Sequence, residues 1–126
     1  MNDYTATRVL IIDNDEGLAE ALTIRLESEG FSCISANSGA QGLAVFENST
    51  VDVVLTDMNM PGGNGIVVIE NIRKTSSVPI LVMTGFESEF AEQFEGIEGI
   101  SVVSKPFNIE TLIDEIEISV SLADSM

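Results

Sequence analysis

The sequence predicts an α/β fold: a doubly wound parallel sheet of five strands alternating with five helices. Three observations carry that prediction. Unbroken apolar runs such as Val9-Leu10-Ile11-Ile12 and Ile80-Leu81-Val82-Met83 recur along the chain, as strands buried on both faces require. Between them lie segments with apolar residues every three or four positions, the spacing of amphipathic helices. Four of the runs end at residues able to do chemistry, namely Asp13, Asp57, Thr84 and Lys105.

Arg8 to Asp13 reads as the first strand. From Asp15 to Glu29, Leu18, Leu22 and Leu26 form one helical stripe, with Gly30 as its C′ stop. Phe31 to Ala36 is a shorter second strand, in which Cys33 reads as a small buried residue. Ser38 caps a helix running to about Asn48, with Leu43 and Phe46 facing in. Val51 to Asp57 is the third strand, and Met58 to Gly63 is a loop broken by Pro61-Gly62-Gly63. Asn64 caps a third helix bearing Ile66, Ile69 and Ile72 and ending near Lys74. Val78 to Thr84 is the fourth strand, with Pro79 tolerated only near its start. Phe86 to Glu95 is a short acidic helix whose Phe86, Phe90 and Phe94 make one stripe, read as core packing. Ile100 to Ser104 is the fifth strand. Asn108 caps a final helix carrying Ile109, Leu112, Ile113, Ile116 and Val120. Residues 1–126 are read as one domain, with no output domain.

Composition narrows the function. An apolar fraction of 44% belongs to a globular chain. Without a long apolar segment or a signal-like N-terminus, a soluble cytoplasmic protein is expected. The single cysteine excludes an intrachain disulfide. Five Lys and Arg stand against 21 Asp and Glu, a net charge of −16 that disfavours direct DNA or RNA binding. A metal cation or a basic partner protein is favoured instead, although most of these acids read as solvated helix faces. The absence of histidine removes histidine-based catalysis and histidine-ligated zinc.

Parallel strands would gather the four polar strand ends at the carboxyl edge of the sheet, where open α/β folds bind ligands. Asp57 follows an uncharged run and precedes a Pro-Gly-Gly loop, so its carboxylate projects from a rigid strand end, suited to attack a phosphoryl group. Taken alone, a strand-end Asp is more often a turn or capping residue; its three polar companions favour function. Phosphoryl transfer needs charge neutralised. Asp13 and Asp15 follow the first strand, which neighbours the third, and a hard cation such as Mg²⁺ relieves the repulsion between acids there. Capping of the first helix is an equal role for Asp15 and compatible with the other. Thr84 offers a hydroxyl to a phosphoryl oxygen, and Lys105 a point charge to pair with Asp57 or its phosphate.

Asp13, the loop Asp57-Met58-Asn59-Met60-Pro61-Gly62, Thr84-Gly85 and Lys105-Pro106-Phe107 resemble, in order and spacing, the signature of response-regulator receiver domains. The resemblance covers essentially the whole chain and implies a flavodoxin-like fold with strand order 2-1-3-4-5. It implies Asp57 as phosphoacceptor, with Mg²⁺ held by Asp13, Asp57 and the backbone carbonyl of Asn59. It implies Thr84 as the residue that binds the phosphoryl group and triggers the switch, and Lys105 as the phosphate's counter-ion. Two positions depart from the pattern. Asn14 stands where the family usually has a second acid and is expected to be a weak ligand, with Asp15 in partial compensation. Val102 stands where the family usually carries an aromatic switch residue, so any switch rests on backbone shifts after Thr84.

The leading expectation is therefore a stand-alone receiver, a monomer or weak dimer. A sensor histidine kinase or histidine phosphotransfer protein phosphorylates it, and it signals to a protein target. The contact face expected is that of the fourth predicted helix, fifth strand and fifth predicted helix. No enzymatic activity is expected beyond self-phosphorylation from small donors and autodephosphorylation. Two other classes compete: a receiver-fold module never phosphorylated, kept open by Asn14 and Val102, and a haloacid-dehalogenase-type phosphatase. The latter would use Asp13 as nucleophile and Asp15 as acid, but it lacks a later acidic motif.

Overall fold

The computed structural model describes residues 6–58, 65–84, 97–104 and 107–124. Five strands, β1 (Arg8–Ile12), β2 (Ser32–Ala36), β3 (Val53–Asp57), β4 (Ile80–Thr84) and β5 (Ile100–Ser104), form one sheet. Their order is β2-β1-β3-β4-β5 and every neighbouring pair is parallel. Four helices are described: α1 (Glu16–Ser28), α2 (Gly39–Asn48), α3 (Gly65–Arg73) and α4 (Ile109–Asp124). The helix expected over 86–95 and the Asn64 cap fall outside the described residues, so the final helix carries the label α4.

The pleat divides the apolar strands between two half-cores. Val9, Ile11, Val53, Leu55, Leu81 and Met83 face Leu22 and Leu26 of α1 and Leu112 and Ile116 of α4. Leu10, Ile12, Val54, Ile80 and Val82 face the opposite way, onto Val68, Ile69 and Ile72 of α3, with Leu43 and Phe46 of α2 packed against them. β3 and β4 are buried throughout, as the unbroken runs require. Each fully buried Leu or Ile contributes roughly 1.5–3 kcal/mol over an exposed one, so these central strands dominate the hydrophobic stabilisation.

Local signals set the helix ends. Asp15 has extended backbone and accepts from the Leu18 amide at 3.1 Å, the N-cap bond of α1. Ser38 does the same for α2 through the Gln41 amide at 3.1 Å. Asn108 Oδ1 accepts from Glu110 at 2.8 Å at the start of α4. Gly30 adopts φ 101° just past α1, a conformation that side chains resist. Pro79 precedes β4, so it costs the ladder no donor, and its carbonyl accepts from Val54 at 2.9 Å.

One expectation needs correcting. Cys33 is half-buried, because β2 is an edge strand whose outer side lacks a neighbour. Burial, reinforced by the nearby Glu27 charge, still pushes its thiol from 9.0 up to about 11.

A Cβ on Gly42 would lie 2.5 Å from Ile12 Cδ1 and 2.8 Å from Ile12 Cγ1, in a fully buried place. Gly42→Ala should therefore destabilise by about 1–3 kcal/mol in urea unfolding, despite alanine's helix propensity. For Cys33 the neutral thiol is the native form. Its contribution to stability is intact below pH 9.0 and lost as pH rises towards about 11. Cys33→Ala should flatten that alkaline limb of the stability profile.

Candidate functional site

Parallel pairing of β1 with β3 builds the site. Ile12 is in register with Thr56, so the next residues, Asp13 and Asp57, stand side by side at the carboxyl edge. Both carboxylates are deep for charged groups, Asp13 at 1% exposure and Asp57 at 6%. Asp13 is tied to the frame by its amide, which donates to Ala36 O at 3.0 Å. Its Oδ1 accepts from the Asp15 amide at 2.9 Å. Asp57 closes β3; the next amide, of Met58, donates to Met83 O at 3.1 Å and continues the ladder to β4. The buried Thr56 hydroxyl donates to Asp57 O at 3.2 Å.

β4 supplies the third member. Thr84 is its last residue, fully buried, one place beyond Met83, the register partner of Asp57. Ser104 of β5 pairs in turn with Thr84. Lys105 follows Ser104 but lies outside the described residues, as does Asn59. The sheet thus brings Asp13, Asp57 and Thr84 to three adjacent strand ends. Val102 is partly buried and packs on the α3 side of the sheet, while Val103 is buried on the α1 side.

Adjacent buried carboxylates repel one another, and their oxygens are hard donors of the type Mg²⁺ prefers. Among the described residues no group of three or more His, Cys, Asp and Glu is placed to hold a metal. A pair of acids is nevertheless adequate for Mg²⁺, which keeps several waters and takes one or two carboxylates. Asp13 and Asp57 fit that requirement. Asn14 is exposed, and the Asp15 carboxylate is engaged in capping α1. Capping is thus the role seen for Asp15.

Sequence reasoning missed two residues beside Asp57. Met58, assigned to a loop, is 1% exposed and belongs to the half-core under α3. Gly65 opens α3, and its amide donates to Met58 O at 3.1 Å. A Cβ there would meet Met58 Sδ at 2.8 Å and Asp57 O at 3.0 Å. The signal for Met58 was available as an apolar residue directly after a buried strand. Gly65 was hidden among the other loop glycines.

The model of the response regulator receiver domain family matches residues 9–117. The sensory transduction protein RegX3 of Mycolicibacterium smegmatis is 38% identical over 112 residues, covering 87% of this chain and 49% of that protein. The DNA-binding response regulator MtrA of the same species is 36% identical over 113 residues, covering 88% and 49%. The chain spans about half the length of these curated relatives. Among solved structures, the chemotaxis response regulator CheY4 of Vibrio cholerae superposes with TM-score 0.84 at 26% identity, covering 91% of this chain and 99% of that one. A CheY-like receiver domain protein of Methanospirillum hungatei reaches TM-score 0.88 at 24% identity, with 96% and 98% covered, a likeness of fold. By family match and by fold, this chain belongs to the response-regulator receiver domains of two-component signalling.

Proposed function

We propose that Asp57 accepts a phosphoryl group from a histidine kinase or histidine phosphotransfer protein, and that the phosphorylated domain signals by protein–protein contact. The observation that supports this most is the juxtaposition of the buried Asp57 with Asp13 and Thr84 at adjacent strand ends. In the chemical step an Asp57 carboxylate oxygen attacks phosphorus and an acyl–phosphate bond forms. The phosphorus–nitrogen bond of a phosphohistidine donor breaks, and the imidazole takes the electron pair and a proton. With acetyl phosphate the leaving group is acetate.

Mg²⁺ would be held by Asp13, Asp57 and the Asn59 carbonyl, with Asn14 as a weak ligand, and when bound it offsets the phosphoryl charge. Thr84 holds a phosphoryl oxygen and triggers the switch; Lys105 pairs with the phosphate. The fixed β1 and β3 ends keep the nucleophile oriented, so little reorganisation is asked of the chain at the moment of reaction. Val102 carries no ring to rotate, and the switch accordingly rests on Thr84 and backbone movement. The target face proposed is that of β5 and α4; the fourth predicted helix, expected to share it, lies outside the described residues.

The cytoplasm is the compartment proposed, where the donor's catalytic domain and ATP reside; among the described residues no helix is long and apolar enough to cross a membrane. Action as a monomer or weak dimer is part of the same proposal, checked by the native mass of the domain in solution against 13.5 kDa for one copy. The expectation against nucleic acid rests on the −16 charge alone and gains nothing from relatives of which one is named as DNA-binding. The family match supports the receiver reading over the haloacid-dehalogenase one.

Radiolabelled acetyl phosphate with Mg²⁺ should label the wild type with a hydroxylamine-labile group, and Asp57→Ala should abolish the label. Equal labelling of Asp57→Ala would overturn the assignment. Asp13→Asn should weaken Mg²⁺ binding by about tenfold or more in calorimetric titration. The competing reading, an inert receiver-fold module, draws on Asn14 and Val102. It predicts that the wild type fails to bind beryllofluoride at millimolar Mg²⁺.

A further inference from the structure

α3 meets the Asp57–Met58 backbone at one end and the turn before the edge strand β5 at the other. At its start, Gly65 seats directly on the Asp57–Met58 backbone, with its amide on Met58 O at 3.1 Å and no room for a Cβ between them. At its end, Arg73 reaches past β4 to the turn that leads into β5. Its Nε donates to Glu98 O at 3.0 Å and its Nη2 to Gly99 O at 3.3 Å, while Nη1 holds Ser76 O at 3.2 Å. Gly99 holds φ 75° and sits close under the guanidinium: a Cβ there would lie 2.8 Å from Nη2, the far end of the arginine side chain. Between the two seats Val68, Ile69 and Ile72 are buried against the sheet, at 1%, 0% and 1% exposure.

A short helix clamped this way transmits displacement. Close-packed interiors deform little, so a shift at the Gly65 seat passes along the buried face of α3 to Arg73, whose guanidinium is tied by three hydrogen bonds to Ser76, Glu98 and Gly99. Phosphorylation adds bulk and charge to a side chain that is 6% exposed, at the strand end on which Gly65 rests. We propose that α3 is a second route, beside Thr84, that carries the state of Asp57 to the turn before β5, with Arg73 as the positioning residue at the output end. This rests on Asp57 being the phosphoacceptor, and it supplies a route that needs no aromatic ring at Val102. The displacement is delivered to the turn at Glu98–Gly99, and from there to the β5 edge that leads to Ser104. Small helix shifts of this type belong to the known repertoire of switches.

Amide NMR with beryllofluoride and Mg²⁺ as the phosphate mimic tests the route. In the wild type the mimic should shift the Met58 amide and, in parallel, those of Gly99 and Ile100. In Arg73→Gln the Met58 response should persist, while the Gly99 and Ile100 responses fall at least threefold. Arg73→Lys, which keeps the charge and can hold one carbonyl, should give an intermediate response, and it replaces Arg73→Gln if that variant does not fold. A merely structural arginine would alter the resting spectrum but leave the mimic-induced change at Gly99 intact. Gly99 and Ile100 responses as large in the variants as in the wild type would overturn the proposal, as would their absence in a wild type whose Met58 responds. No response at Met58 in the wild type would instead remove the phosphoacceptor reading, and this inference with it.

Discussion

Everything at the functional edge depends on the parallel pairing of β1 with β3. These strands lie side by side at the centre of the sheet, and one register step beyond Ile12 and Thr56 stand two carboxylates. Parallel strands are fixed in direction as well as position, so they deliver their carboxyl ends to the same side. Slipping the register by one residue would turn the apolar set of β1 to the wrong half-core and carry Asp13 away from Asp57. The hydrophobic sorting that specifies the register thus also specifies the chemistry.

That arrangement is costly to hold together. Buried charges are tolerated only with compensation, and here two acids of like sign share a nearly dry edge. Compensation comes in part from fixed backbone donors, the Asp15 amide on Asp13 being the one at 2.9 Å. Carboxylate oxygens placed in this way are hard donors of the type a divalent cation prefers. A site poised in this way responds strongly to added charge, which is the property a phosphorylation sensor requires.

Much of this was legible in the sequence because a parallel α/β sheet writes its core as unbroken apolar runs. β1, β3 and β4 were read to within two residues of their ends, and the polar residue after each run marked the site. What escaped the reading depends on neighbours distant in sequence. Gly65 and Gly99 look like ordinary turn glycines until Asp57 O and the Arg73 guanidinium are seen against them. Arg73 has the composition of a solvated helix terminus, yet it makes three hydrogen bonds to carbonyls, and its burial lowers the pKa of the guanidinium. Cys33 reads as core because it follows Phe31 and precedes Ile34, but sequence does not say which strand is an edge. The roles expected of Asn59 and Lys105, and of the stripe Phe86, Phe90 and Phe94, fall outside the described residues.

The division of the interior into two half-cores has a consequence for how the chain assembles. β1 contributes Val9 and Ile11 to one side and Leu10 and Ile12 to the other, and β3 divides in the same manner. The unit β1-α1-β2 can form from local contacts, but it leaves one flank of β1 open until β3, more than forty positions along the chain from its register partners, arrives. Closing that long loop is slow compared with forming a helix. Pairing of β1 with β3 is therefore the long-range step that closes the sheet across its centre. The strand pair that aligns the two carboxylates is also the seam on which folding turns.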